Sequence, residues 1–214
     1  MYSKDFKEKT YIKYNNEYVE ILKRYEKEYD PRLDFISKLS FTNKKILDIG
    51  CGTGKIGSLF TKNNKVYGVD ISHKILNIAK KRKIITKQLN LDKSKLPFKD
   101  NCLDVIFLFD IVEHVFLPEK LLKESYRVLN PTGRLYLTTH NTKIEDNKEN
   151  EYDLSLFEVE ELKQILLKIG FKNITIHGWS WQEPKHKTIL DKLKSIWLWY
   201  NPRKAKDIYI IAEK

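Results

Sequence analysis

Four carboxylates, two histidines and one glycine loop stand where they could do chemistry. The loop is 50-GCGTGKIG-57. Its glycines strip side chains from backbone that must approach a ligand, and the N-terminus of a helix expected to open behind it offers unpaired N–H groups. Gly52, Gly54 and Gly57 match the G-x-G-x-x-G pattern of dinucleotide sites. Gly54-Lys55 resembles the end of a phosphate-gripping loop, but Ile49 stands where that motif needs its first glycine. Ile56 stands where it needs a hydroxyl. Asp70 lies at the end of the next apolar run, and a carboxylate there can accept two hydrogen bonds from a ribose diol. The residues describe a site for an adenosine-like nucleoside, with NAD and S-adenosylmethionine both open.

Asp48 stands just before the glycines. A pyrophosphate would meet a like charge there, whereas a sulfonium or ammonium would be attracted. Asp92 and Asp110 follow the third and fourth apolar runs. Ligands of open α/β sheets bind at the carboxyl ends of strands, so Asp48, Asp70, Asp92 and Asp110 are expected to converge on one crevice. His114 and His140 belong to the same edge and titrate near neutrality, which suits a general base. Glu113, His114 and His140 are not read as a metal set. Cys51 and Cys102 have no second Cys or His at ligand spacing and are read as reduced thiols.

These residues need a scaffold. Residues 45–49, 65–70, 84–89, 103–109 and 134–139 are short apolar runs, as in parallel strands covered on both faces. Helical periodicity occupies 16–40, 73–83, 117–129 and 158–169, and Gly170 supplies a stop. The alternation predicts an α/β doubly wound sheet. Strands at 172–177 and 207–213 flank a helical insertion at about 178–206.

The ordered motifs 46-ILDIGCGTG-54, 67-YGVDIS-72, 92-DKSKLPF-98, 103-LDVIFLFDIVEHV-115, 126-YRVLNPTGRLYLTTHN-141 and 168-KIGF-171 resemble the class I S-adenosylmethionine-dependent methyltransferases. Within them, the chain is similar to small-molecule enzymes of the ubiquinone/menaquinone-biosynthesis type. The resemblance implies a Rossmann-like seven-stranded sheet, mostly parallel with an antiparallel last strand. It divides the chain into an N-terminal helical cap, 1–43, and a methyltransferase domain, 44–214. The cofactor implied is S-adenosyl-L-methionine. Carried over by position, Asp48, Gly50, Cys51, Gly52 and Gly54 line the methionine and ribose, and Asp70 binds the ribose hydroxyls. Ile71 and Leu91 flank the adenine, Asp92 accepts from its amino group, and Asp110 and Ile111 meet the methionine end. Tyr11, Tyr14, Tyr18 and Asn141 would face the acceptor. Thr132 departs from the usual Pro-Gly-Gly turn, and His140 takes a place where many relatives have proline.

The reading is therefore methyl transfer to a small molecule at O or N, quinone- or lipid-like. An RNA methyltransferase is the alternative, followed by an NAD(P)-dependent reductase. The base-methylating motif [DNS]-P-P-[YFW] is absent after strand four, where the chain reads 110-DIVE-113. The net charge of +11 would suit nucleic acid or an anionic membrane. However, Lys, Ile and Asn are abundant throughout, as A/T-rich codon usage produces.

The insertion carries Ile189, Leu190, Leu193, Ile196, Trp197 and Tyr200 on one helical stripe, with seven Lys/Arg against one Asp over 185–206. The stripe is expected to pack on the sheet as a pocket wall. Peripheral membrane contact through 185–206 is the competing reading. The charged start lacks an apolar signal region, so a cytoplasmic protein is expected.

Overall fold

The computed structural model describes residue 30 and residues 32–141, 153–155, 157–179 and 189–214. The expected cap tyrosines Tyr11, Tyr14 and Tyr18 lie outside them. The described residues fall into two compact units, divided between Asn90 and Leu91. Seven strands make a mixed sheet: β3-β2-β1 in the first unit and β4-β5-β7-β6 in the second.

In the first unit, β1 (Lys45–Ile49), β2 (Lys65–Asp70) and β3 (Ile85–Gln88) run parallel. Ile46, Leu47 and Ile49 are fully buried, as strands covered on both faces require. A short helix α1 (Leu33–Ile36) precedes them, and α2 (His73–Lys81) crosses from β2 to β3. The helix expected to open at the glycine loop is only a 3₁₀ turn, Gly57–Phe60. Few residues separate the loop from β2, and their side chains hold irregular backbone. The Thr61 hydroxyl donates to the Ser58 carbonyl at 3.0 Å. The Asn64 amide donates to the carbonyls of Phe41 and Phe60.

In the second unit, β4 (Leu103–Phe109) pairs parallel with β5 (Leu129–His140). The last strand, β7 (Asp207–Glu213), inserts antiparallel between β5 and β6 (Lys172–Trp179). Helix α3 (Pro118–Val128) joins β4 to β5, and α4 (Val159–Ile169) precedes β6. Gly170 stops α4 at φ 117°, a left-handed conformation that glycine adopts without a Cβ penalty. Its N–H returns to the carbonyls of Leu166 and Leu167. Phe107 stacks on Phe109 and meets Tyr136 edge-on, so aromatic packing fills the β4–β5 pair.

Helix α5 (Ile189–Tyr200) forms as expected but presents its stripe the other way. Leu193, Ile196, Trp197 and Tyr200 are all more than half exposed. Contact with β6 is made by the opposite face. Leu198 is buried, and Trp199 stacks on His177 with ring centroids 4.1 Å apart. The approach is close because Gly178 has no side chain: a Cβ there would meet the Leu198 carbonyl oxygen and lie 2.5 Å from the Ala205 Cβ. A helix with two apolar faces gives one periodic signal, and backbone proximity at Gly178 selects which face turns inward.

Candidate functional site

In the first unit, β1 ends in a left-handed path, with Gly50 at φ 68°, Gly52 at 52° and Gly54 at 77°. Such a turn is strained for any residue with a Cβ. It brings the Gly52 N–H to the Oδ2 of Asp70 at 3.1 Å, while the Ser72 N–H reaches Oδ1 at 2.8 Å. Asp70 is therefore buried and held from both sides at the carboxyl end of β2. Burial pushes its carboxyl above the usual range, and the backbone N–H groups of Ser72, Gly52 and Ile71 pull it back. Each oxygen takes a backbone donor, and the carboxylate keeps acceptor capacity, since it offers about four lone-pair sites. Two oxygens so placed can receive the two hydroxyls of a ribose. Ile71, half-buried, follows Asp70 directly.

Asp48 and Cys51 are both buried beside the glycine loop. The Asp48 carboxylate accepts a hydrogen bond from the Gly57 backbone. A Cβ added at Gly57 would come within 2.9 Å of its Oδ2, so the acid lies tucked against the loop. Burial pushes it up to about 7, against the attraction of Arg32. Near neutral pH it carries only part of a charge, which weakens the pull on a sulfonium expected of it. The Cys51 thiol packs against β2, where a Cβ on Gly68 would meet its Sγ at 2.7 Å. Burial raises the thiol well above its ordinary value.

In the second unit, Asp92 accepts from the Leu117 N–H at 2.9 Å through Oδ1, and its carbonyl accepts from Lys120 at 2.8 Å. It anchors the start of α3 as well as standing beside Leu91. Asp110 holds a left-handed φ of 53°, accepts from the Thr138 hydroxyl at 2.7 Å, and is followed by buried Ile111. Electrostatics place Asp110 among Glu113, His140 and Asp153.

His140 ends β5 and meets Asp207 through Nδ1 at 2.7 Å. That hydrogen bond raises the imidazole to about 9, reinforced by Glu113 and Asp110 and opposed by burial. His140 thus holds a proton at neutral pH and lacks the vacant nitrogen that a general base needs. This pairing favours an imidazolium over the base expected from the sequence; Asp207 lies far along the chain and comes into place only through antiparallel pairing. His114 meets Asp153 through Nδ1 at 3.3 Å. Asn141, expected on the acceptor side, lies beside the segment that leads into β7. It is fully buried, and its amide donates to the carbonyls of Ala205 at 2.9 Å and Pro202 at 3.3 Å. These two bonds tie β5 to the segment before β7.

Glu113, Asp153 and Asp207 were not assigned roles from the sequence. Glu113 is the most unusual of them: it is 1% exposed, and neither carboxylate oxygen has a hydrogen-bond partner among the described residues. Burial pushes it up to about 7. Its backbone carbonyl accepts from the N–H groups of Leu154 and Ser155 at 2.7 and 3.0 Å, which pins the carboxyl in place. A signal for it existed in the EH pair after β4, an acid at a strand end. Among the described residues, no three His, Cys, Asp or Glu side chains are arranged to hold a metal ion.

A family model described as a methyltransferase domain matches residues 47–137. The chain is 32% identical over 150 residues to phosphoethanolamine N-methyltransferase of Plasmodium falciparum, covering 62% of this chain and 55% of that one. It is 30% identical over 173 residues to protein MJ1123 of Methanocaldococcus jannaschii, covering 72% and 82%. The chain thus spans about half the length of the Plasmodium relative. A SAM-dependent methyltransferase from Thermotoga maritima superposes with a TM-score of 0.71, at 20% identity and over 96% and 99% of the two chains, which shows a shared fold. The chain belongs to the class I S-adenosylmethionine-dependent methyltransferases. S-adenosylmethionine is the methyl donor of that family. The residues present fit its adenosine half, on the buried, doubly anchored Asp70 beside three left-handed glycines.

No helix among the described residues is long and apolar enough to cross a membrane.

Proposed function

We propose that the protein transfers the methyl group of S-adenosylmethionine to a small-molecule acceptor, at oxygen or nitrogen. The observation that carries the proposal is Asp70, buried, aimed by Gly52 and Ser72, and able to bind a ribose diol. When bound, the cofactor supplies an electrophilic methyl group on sulfur. The protein then has to position the acceptor, exclude water and remove its proton.

In this reading Asp70 holds the ribose, and Gly50, Gly52, Gly54 and the Cys51 backbone pass along the cofactor. Ile71 and Leu91 flank the adenine, and Asp92 accepts from its amino group. Asp110 and Ile111 serve the methionine end. His114, oriented by Asp153, takes the acceptor proton. His140 stays protonated against Asp207 and donates to the acceptor. The buried carboxyl of Glu113 prefers an acceptor that brings a hydrogen-bond donor, because an unpaired buried carboxylate is costly. An amine or a hydroxyl meets that need. A quinone- or lipid-like acceptor follows from the motif resemblance.

Calorimetry tests the cofactor half. S-adenosylhomocysteine should bind, and Asp70→Ala should weaken it at least about tenfold, the loss expected for charge-assisted hydrogen bonds. Binding of NAD in its place would overturn the reading. S-adenosylhomocysteine release with a panel of amines, phenols and quinols tests the acceptor half. If His114→Gln leaves the pH–rate profile unchanged with the accepted substrate, the base assignment fails.

A further inference from the structure

The outward face of α5 is the least explained surface of the protein. Leu193 (57% exposed), Ile196 (56%), Trp197 (52%) and Tyr200 (75%) follow the i, i+3, i+4, i+7 spacing of one helical stripe. Half of the large apolar side chains exposed among the described residues are on this one helix. The helix does not need that stripe to stay folded, since Leu198 and Trp199 already dock it on β6. Apolar side chains gathered in a stripe and left in water mark an interaction surface.

Charge selects the partner. Residues 192–206 carry Lys192, Lys194, Arg203, Lys204 and Lys206, and no acid. Lys194 flanks the stripe, and Arg203 and Lys204 follow it; all three are exposed. Arg203 also reaches Glu160 at 2.7 Å, an exposed pair that contributes little to stability and still leaves the segment basic. Trp197 and Tyr200 have apolar bodies and polar tips, the side chains favoured at a membrane–water interface. A second copy of the chain would bring +11 against +11 and one basic rim against another.

We infer that α5 is an interfacial anchor. It lies on an anionic lipid surface with Leu193, Ile196, Trp197 and Tyr200 in the headgroup boundary and the lysines and arginine over the anionic headgroups. The partner is the membrane surface, not a lipid in a pocket, and binding is reversible, as one amphipathic helix with a basic rim provides. The inference does not depend on the identity of the methyl acceptor.

Co-sedimentation with phosphatidylglycerol-containing vesicles, beside pure phosphatidylcholine vesicles, provides the test. Wild-type protein should pellet with the anionic vesicles at low salt. Binding should fall at least fivefold in 0.5 M salt or on phosphatidylcholine. The Ile196→Asp/Trp197→Asp variant should lose at least tenfold in partitioning, with unchanged circular dichroism and unchanged S-adenosylhomocysteine binding. No pelleting of the wild type at low salt would overturn the inference. So would equal pelleting of the variant. A wild-type dimer on gel filtration that the variant disperses, with no vesicle binding, would give the stripe to a second copy instead. Vesicle binding and cofactor binding are read separately, so failure of one leaves the other standing.

Discussion

His140 and Asp207 are register partners in antiparallel strands, and their side chains also meet, at 2.7 Å. The pair joins the last residue of β5 to the first residue of β7. Its acid–base consequence can be measured. The folded-state value of His140 lies at about 9, above the ordinary 6.5. Its contribution to stability is fully present below pH 6.5 and is lost as pH rises through about 9, because the unfolded chain gives up the proton first. The contribution is on the order of 1–2 kcal/mol after allowance for partial exposure. A histidine Cε1–H NMR titration should place the midpoint near 9 in the wild type. In Asp207→Asn the midpoint should fall by a unit or more. A wild-type midpoint near 6.5 would contradict the pairing.

Glu113 should behave as a buried acid whose carboxylate oxygens have no hydrogen-bond partner among the described residues. Its carboxyl is raised from 4.5 to about 7, so the folded state keeps a proton that the unfolded chain releases. The stability this proton carries is present below pH 4.5 and drains away as pH rises through about 7. Glu113→Gln removes the charge and keeps the shape. Urea unfolding at pH 8 should find the variant more stable than wild type, by about 1–3 kcal/mol, with near equality at pH 4. The same substitution should raise KM for an acceptor that donates to the carboxylate. A variant less stable than wild type at pH 8 would mean that Glu113 is paired in solution.

Gly178 holds α5 against β6 by lacking a side chain. A Cβ would run into the Leu198 carbonyl and would lie 2.8 Å from the Pro202 Cα, and backbone cannot step aside as a side chain can. Gly178→Ala should cost about 2–4 kcal/mol, at or above the usual range for overpacking. It should also disturb the Trp199–His177 stack, read as a change in tryptophan fluorescence with the β-sheet circular dichroism retained. Unchanged stability would contradict the close approach.

The two thiols should react differently. Cys51 is buried, and burial raises its thiol well above the ordinary value; Cys102 is partly accessible. Thiolate is the reacting form, so native protein at pH 8 should show one fast equivalent with a disulfide reagent. Cys102→Ser should abolish it, and Cys51→Ser should leave it. A fast Cys51 would mean that the glycine loop opens readily.

The strands were legible because burial on both faces writes itself as short apolar runs. The expected 45–49, 65–70, 103–109 and 207–213 match the observed strands residue for residue. The glycine loop and Asp70 were legible for a related reason, since left-handed backbone and a strand-end acid carry local signatures. What could not be read depends on contacts between distant residues. Asp207 raises His140 across 67 positions. Asn141 is consumed by carbonyls at 202 and 205. The outward turn of α5 depends on which of its two apolar faces meets Gly178, and periodicity treats the faces alike.

The insertion of β7 between β5 and β6 has a consequence for the order in which the protein assembles. During synthesis, β5 and β6 leave the ribosome before the strand that separates and joins them exists. Until residues 207–213 follow, each keeps an edge of unpaired backbone that can capture a foreign strand. The ion pair of His140 with Asp207 also waits for that closing strand. A nascent chain thus lacks the His140–Asp207 pair until its sheet has no gap left to fill.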